Sequence, residues 1–248
     1  MLRTVVHAPK SYRNTSAISL VLSVVLASGC GSGDEGPASG EPAVTGCQGA
    51  ATVIPRNVQD VVDLVNALPK PLDLACWLES LPRPLDVYAT TSNISAQQTL
   101  DPGSPRIFVF VDPLILSVVP VGLGADLLEL AEQRAMGRSI KAEIEFPVEH
   151  ELSPAAPFEQ VMFAEDHTGC AFCHAEETLV PELTFTKVYE SRSLRPVPSR
   201  KVELDSVVRA TEACDESAEP ERCALLRAVF AQGDVRPRDF PVEFAIFD

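Results

Sequence analysis

The chain has 248 residues, of which 46% are hydrophobic and 22% charged, and its 35 acidic and 20 basic side chains give a formal net charge of −15. This length is enough to bury a sizeable core, as one large domain or two small ones. A field of this sign repels nucleic acid and anionic lipid, so nucleic acid is excluded as an expected partner.

Residues 1–29 predict an export signal. Arg3, Lys10 and Arg13 form a positive leader before an apolar stretch of 11 residues at 17–27, which is too short to span a bilayer as a stable helix. The small residues before Cys30 resemble the lipobox of bacterial lipoproteins, in which the cysteine is lipidated, although Ala27 stands where that motif usually has Leu. The alternative is ordinary secretory cleavage near the same point, which leaves Cys30 as a spare thiol.

Residues 30–45 are rich in Gly, Ser, Pro and acid, a composition typical of a flexible tether. The expected product is an exported lipoprotein of the bacterial cell envelope, either periplasmic or on the outer surface. It is expected to be anchored to the membrane by its N-terminal lipid alone. Cleavage after residue 29 removes three basic and no acidic residues, which changes the formal net charge from −15 to −18.

Residues 46–248 are predicted to form a single, mostly β domain of the α+β class, an antiparallel sandwich or open barrel with a few short helices towards both ends. Asn57 is the expected cap of a first helix. Glu143 and Glu145 alternate with apolar residues and are interpreted as the solvent face of a strand. The predicted elements, in chain order, are helices at 58–68 and 72–78, strands at 85–90, 106–111 and 114–119, a hairpin over 128–148 that bends near Met136-Gly137, a strand at 183–189, helices at 202–213 and from Pro220, and a strand at 240–247.

The chain has seven cysteines, and disulfides persist outside the cytoplasm, so an odd number in an exported protein has to be explained. If Cys30 carries lipid, six remain. Two pairs then follow if Cys170 and Cys173 are otherwise occupied: Cys47 with Cys76, and Cys214 with Cys223. If they are not, the six form three disulfides, one of them between Cys170 and Cys173.

The segment around 165–178 contains Cys170-Ala171-Phe172-Cys173-His174, a C-x-x-C-H run. It resembles the haem-attachment motif of c-type cytochromes, over these five residues and their small flanks alone. The resemblance implies a covalently bound haem c, with Cys170 and Cys173 as thioether residues and His174 as the iron ligand, in an electron-transfer protein with a redox partner protein.

No methionine follows His174, so a sixth iron ligand has to come from upstream. The candidates are Met162, His167, His150 and Met136. A methionine ligand raises the reduction potential and a histidine ligand leaves it low. An open sixth position is the remaining possibility.

Two other interpretations of the motif stay open. One is a small disulfide in a non-enzymatic binding or structural lipoprotein, since the acidic residues around the motif disfavour a reactive thiolate. The other is a zinc site formed by His167, Cys170, Cys173 and His174, although adjacent residues bind one ion with difficulty. No hydrolase or phosphate-binding motif is present, which favours a carrier over an enzyme.

Overall fold

The computed structural model describes residues 54–247. Asn57 caps the first helix, since its side chain accepts a hydrogen bond from the Asp60 amide at 2.8 Å, and Asp73 caps the second in the same way. The helices are α1 (Val58–Ala67), α2 (Leu74–Glu79), α3 (Ala156–Gln160), α4 (Leu204–Glu212) and α5 (Pro220–Phe230). Among the described residues, none of the helices is long and apolar enough to cross a membrane.

A large, mostly antiparallel sheet organises the molecule, which confirms the predicted α+β class with dominant β structure. Its strand order is β10-β1-β2-β3-β4-β5-β7-β6, with β9 also paired to β1, and β8 pairs separately with β11. The strands are β1 (Leu85–Thr90), β2 (Arg106–Val111), β3 (Leu114–Val118), β4 (Leu127–Gln133), β5 (Arg138–Glu145), β6 (Thr178–Leu179), β7 (Tyr189–Arg192), β8 (Leu194–Pro196), β9 (Lys201–Val202), β10 (Val235–Pro237) and β11 (Ala245–Phe247).

The hydrophobic core lies on one face of the central strands. Ile107, Leu116, Leu128 and Ile140 point to that face, because side chains in a strand alternate with a period of two. The helices pack against it, with Trp77 of α2 completely buried. The other face carries polar and aromatic side chains.

One of the predicted disulfides is confirmed. Cys214 and Cys223 are joined, with Cα atoms 5.6 Å apart, and link the end of α4 to α5. Cys76 is also disulfide-bonded. Its predicted partner Cys47, the lipidation site Cys30, the signal 1–29 and the tether 30–45 lie outside the described residues.

Three sequence predictions are wrong in part. The strand expected at 183–189 is a loop up to residue 188, closed by a hydrogen bond of 2.8 Å from the Val180 amide to the Val188 carbonyl, and β7 begins at Tyr189. The last strand covers only 245–247, because Phe240 and Phe244 are buried against the polar face of the sheet. Of the two glutamates predicted on the solvent face of a strand, Glu145 is exposed as expected, whereas Glu143 is half-buried in the cavity.

Replacing Leu116 tests the position of the core. Leu116→Ala should lower the free energy of unfolding by about 2–5 kcal/mol, since it leaves a cavity at a completely buried site in the central strand β3. Leu123→Ala, at a position 72% exposed, is the matched control and should change stability by less than about 0.5 kcal/mol. Urea denaturation of both variants measures the difference, and similar losses would contradict this assignment of the core.

Candidate functional site

A cavity of about 670 Å³ lies over the polar face of the sheet. This volume falls within the range of cofactor and small-molecule sites. Strands β2 to β5 form its floor. Its walls come from the loops at 91–96 and 160–174, the segment 193–200, and the rings of Phe240 and Phe244.

The floor contains a hydrogen-bonded ion pair. Arg106 of β2 pairs with Glu129 of β4, and its Nε donates to Ser117 Oγ at 2.7 Å. Ser117 in turn donates to the side-chain oxygen of Gln97, which is completely buried. These partners satisfy the guanidinium and the carboxylate, as a half-buried ion pair requires.

Two further charged groups of β5 share this floor. Lys141 is only 9% exposed, and burial lowers the pKa of its ammonium group to about 8. Its Nζ donates to Ser139 Oγ at 2.5 Å. Burial raises the pKa of Glu143 to about 7, and the nearby Glu129 carboxylate adds to this effect. Near neutral pH the lysine is therefore mostly charged and the glutamate carries only part of its charge.

The C-x-x-C-H run begins as a short 3-10 turn, Gly169–Phe172. Thr168 caps it, because its hydroxyl oxygen accepts a hydrogen bond from the Cys170 amide at 3.1 Å, and Glu177 binds the Thr168 amide at 2.9 Å. The His174 amide then donates to the Cys170 carbonyl at 2.8 Å. This single helical turn brings Cys170, Cys173 and His174 to the same cavity.

Both cysteines of the motif are free thiols, not joined to each other. Cys170 is half-buried, whereas Cys173 is exposed. Burial, with the Glu143 carboxylate nearby, raises the pKa of the Cys170 thiol to about 12. A thiol with such a pKa stays protonated and makes a poor redox nucleophile.

His174 is held by β7, which lies between β5 and the edge strand β6. Its Nδ1 lies 2.9 Å from the carbonyl oxygen of Arg192, at the end of β7. A carbonyl only accepts, so Nδ1 carries the hydrogen and Nε2 keeps a free lone pair. Burial and the Lys141 charge lower the pKa of His174 to about 3, which keeps the imidazole neutral. A neutral imidazole oriented through its other nitrogen is the form that binds metals.

The structure separates three of the four candidates for the sixth ligand. Met162 lines the same cavity as the motif, and it forms an isolated antiparallel bridge with Thr168. His167 lies beside Asp166, its Nδ1 2.9 Å from the carboxylate, and His150 is exposed outside the cavity. The side chain of Met136 is not among those described.

The zinc interpretation finds no geometric support. Within residues 54–247, no three His, Cys, Asp or Glu side chains converge as a metal-binding group. Since His167 does not line the cavity with Cys170, Cys173 and His174, the four predicted ligands do not surround one point.

The charged floor was missed by sequence reasoning. Arg106, Glu129, Lys141 and Glu143 each occupy an ordinary polar position in an alternating strand, which predicts a solvent-facing surface. Four segments distant in the sequence cover them: residues 91–96, 160–174, 193–200 and 240–244. No signal in the sequence pairs those segments with this face.

The comparisons with known proteins add no family. No family model, curated protein or solved structure matches the chain. The site is therefore interpreted from its own geometry.

Alkylation kinetics test the geometry of the two thiols. In protein produced without haem attachment, Cys173 should react with iodoacetamide at pH 8 at least about tenfold faster than Cys170, because a pKa of about 12 leaves only about 10⁻⁴ of the Cys170 thiol ionised. Peptide mass spectrometry measures both rates, and denatured protein, in which the two rates should be equal, is the control. Equal rates in folded protein would contradict the burial of Cys170.

Proposed function

We propose that the protein is an exported lipoprotein that carries one covalently attached haem c for electron transfer or haem-based redox chemistry. The observation that carries this proposal is the convergence of Cys170, Cys173, His174 and Met162 on one cavity of about 670 Å³. The C-x-x-C-H spacing suits two thioethers and one proximal ligand.

The state of the side chains fits this group. Cys170 and Cys173 are free thiols, as addition to two vinyl groups requires. In each addition a carbon–sulfur bond forms and the thiol hydrogen moves to the vinyl carbon, so that no atom is lost. His174 offers Nε2, while the Arg192 carbonyl fixes the ring through Nδ1.

The charge of the cavity also fits. Four cationic side chains line it, Arg106, Lys141, Arg195 and Arg200, against the two carboxylates Glu129 and Glu143. This local excess of positive charge stands out in a chain of net charge −15. It favours a ligand that, like haem with its two propionates, is anionic at one side and apolar over the rest.

When bound, haem supplies a one-electron iron couple whose potential depends on its axial ligands and on burial. The protein residues hold and orient it: Cys170 and Cys173 by covalent bonds, His174 and Met162 at the iron. Apolar groups at the cavity, among them Phe108, Phe240 and Phe244, limit the access of water.

The wider setting is part of the same proposal. Export by residues 1–29, lipidation at Cys30 and the tether at 30–45 place the domain at a bacterial membrane, where a redox partner protein exchanges electrons with it. A sandwich or open barrel, the finer architecture expected from the sequence, accommodates a sheet with a core on one face and a cavity on the other. The alternative is a non-enzymatic envelope binding or structural lipoprotein in which Cys170 and Cys173 form a disulfide. The Cys214–Cys223 bridge fits that class of protein, whereas the two thiols of the motif are not joined.

Expression in a host with haem-attachment machinery tests the proposal. The intact mass should increase by one whole haem, and the absorption of the reduced protein should survive acid-acetone extraction. His174→Ala should abolish the low-spin spectrum, because it removes an iron ligand, whereas His150→Ala, at an exposed site outside the cavity, should leave it unchanged. A colourless wild-type protein of unmodified mass would refute haem attachment.

The sixth ligand has its own test. Met162→Leu should convert the low-spin spectrum to a high-spin one, because leucine fills similar volume but donates no electron pair to iron. His167→Ala and His150→Ala, at side chains that do not line the cavity, are the controls and should retain the wild-type spectrum. If one of the controls loses it and Met162→Leu does not, the assignment of Met162 is wrong.

A further inference from the structure

The floor of the cavity holds a buried cation that lacks an anionic partner. Within residues 54–247, no carboxylate lies at ion-pair distance from Lys141 Nζ, and its hydrogen bond goes to the neutral Ser139 hydroxyl. Arg106, by contrast, is paired with Glu129. A buried charge without a counter-charge is costly, so an anion at this position would stabilise the site.

Neutral hydrogen-bonding groups surround the ammonium. Ser139 Oγ lies 3.1 Å from the hydroxyl of Ser193, which donates to the Gln133 side-chain oxygen at 2.9 Å. Ser139 and Ser193 are both buried, at 0% and 2% exposure. Ala131 lies opposite Lys141 on β4, and its small side chain leaves space above the floor. These hydroxyl groups hold the ammonium in place beneath the cavity without neutralising its charge.

Apolar side chains also line the cavity. Phe108, Ile115, Phe240 and Phe244 line it, and Phe240 stacks edge-to-face on Phe108 with ring centroids 4.9 Å apart. A ligand that satisfies both parts has an apolar body and a carboxylate. A simple inorganic anion would leave the aromatic wall unused.

We propose that Lys141, with Ser139 and Ser193, is a carboxylate-binding subsite that anchors one acid group of an amphipathic ligand in this cavity. Two sources share this chemistry: a propionate of the porphyrin, and the head group of a free fatty acid. Only the choice of a porphyrin as the ligand rests on the proposed function. The existence of the subsite depends on the cavity alone, since no iron, thioether or axial ligand takes part.

Binding of acids and their esters tests the subsite. The full chain is produced in a host that attaches no haem, and fluorescence titrations compare metal-free protoporphyrin IX with its dimethyl ester. Displacement of a dansylated fatty acid compares laurate with methyl laurate in the same way. For the ligand that fits, the acid should bind about ten- to a hundredfold more tightly than the ester, the effect expected of one charged hydrogen bond.

Variants assign the preference to one side chain. Lys141→Gln should bring the affinity for the acid down to that for the ester. Lys187→Gln, which removes the same charge from an exposed site outside the cavity, is the matched control and should leave the preference intact. Circular dichroism checks the fold of each variant. If Lys141→Gln does not fold, the acid–ester comparison on the unmutated protein still decides whether a carboxylate is recognised.

The outcomes separate this inference from the haem proposal. An acid preference for laurate without porphyrin binding supports the subsite and counts against haem. Covalent haem in the exported protein, combined with equal affinities for acid and ester in both ligand pairs, overturns the subsite and leaves haem attachment in place. A preference that survives Lys141→Gln would also overturn the role of Lys141.

Discussion

The alternation of side chains along β2 to β5 is the constraint on which the rest of the structure depends. One face of these strands presents Ile107, Leu116, Leu128 and Ile140 to the helices, and the other presents Arg106, Glu129, Lys141 and Glu143 to the cavity. A register slip by one residue would turn the charged set towards the helices and the apolar set towards the cavity. Core and candidate site are therefore specified by alternate residues of the same strands.

Charges on a covered sheet face have to be compensated. Arg106 and Glu129 do this through mutual pairing, and Glu143 does it through a pKa raised to about 7, so that it is partly neutral at physiological pH. Lys141 is compensated in neither way: its hydrogen bond goes to the neutral Ser139 hydroxyl, and with a pKa of about 8 it stays mostly protonated. A protein without a ligand at this position would be more stable with an apolar residue there. A binding role accounts for a lysine that stability alone does not favour.

Local signals in the sequence predicted much of the fold. Asn57 and Pro220 mark helix starts, Met136-Gly137 marks the bend of a hairpin, and the strands at 85–90 and 106–111 follow from β-branched and aromatic runs bounded by turn residues. The C-x-x-C-H spacing likewise identified Cys170, Cys173 and His174. The cavity was not predictable, because Phe240, Met162 and Lys141 meet only through long-range packing. The strand expected at 183–189 failed for a related reason: β propensity was present, but pairing begins only at Tyr189 with β6 and at Glu190 with β5.

The thiol chemistry bears on two interpretations of the motif, the dithiol catalyst and the zinc site. A dithiol catalyst needs a lowered thiol pKa, yet burial and Glu143 raise that of Cys170 to about 12. A zinc site needs converging thiolates, which the same environment disfavours. Neither a thioether nor a disulfide carries charge, so either is compatible with the burial that opposes a thiolate at Cys170. Burial likewise keeps the His174 imidazole neutral, and the hydrogen bond to the Arg192 carbonyl orients the ring with Nε2 free. Burial of Cys170 and His174 thus opposes redox catalysis and zinc binding by free thiols, and it is compatible with the proposed covalent attachment beside a neutral histidine.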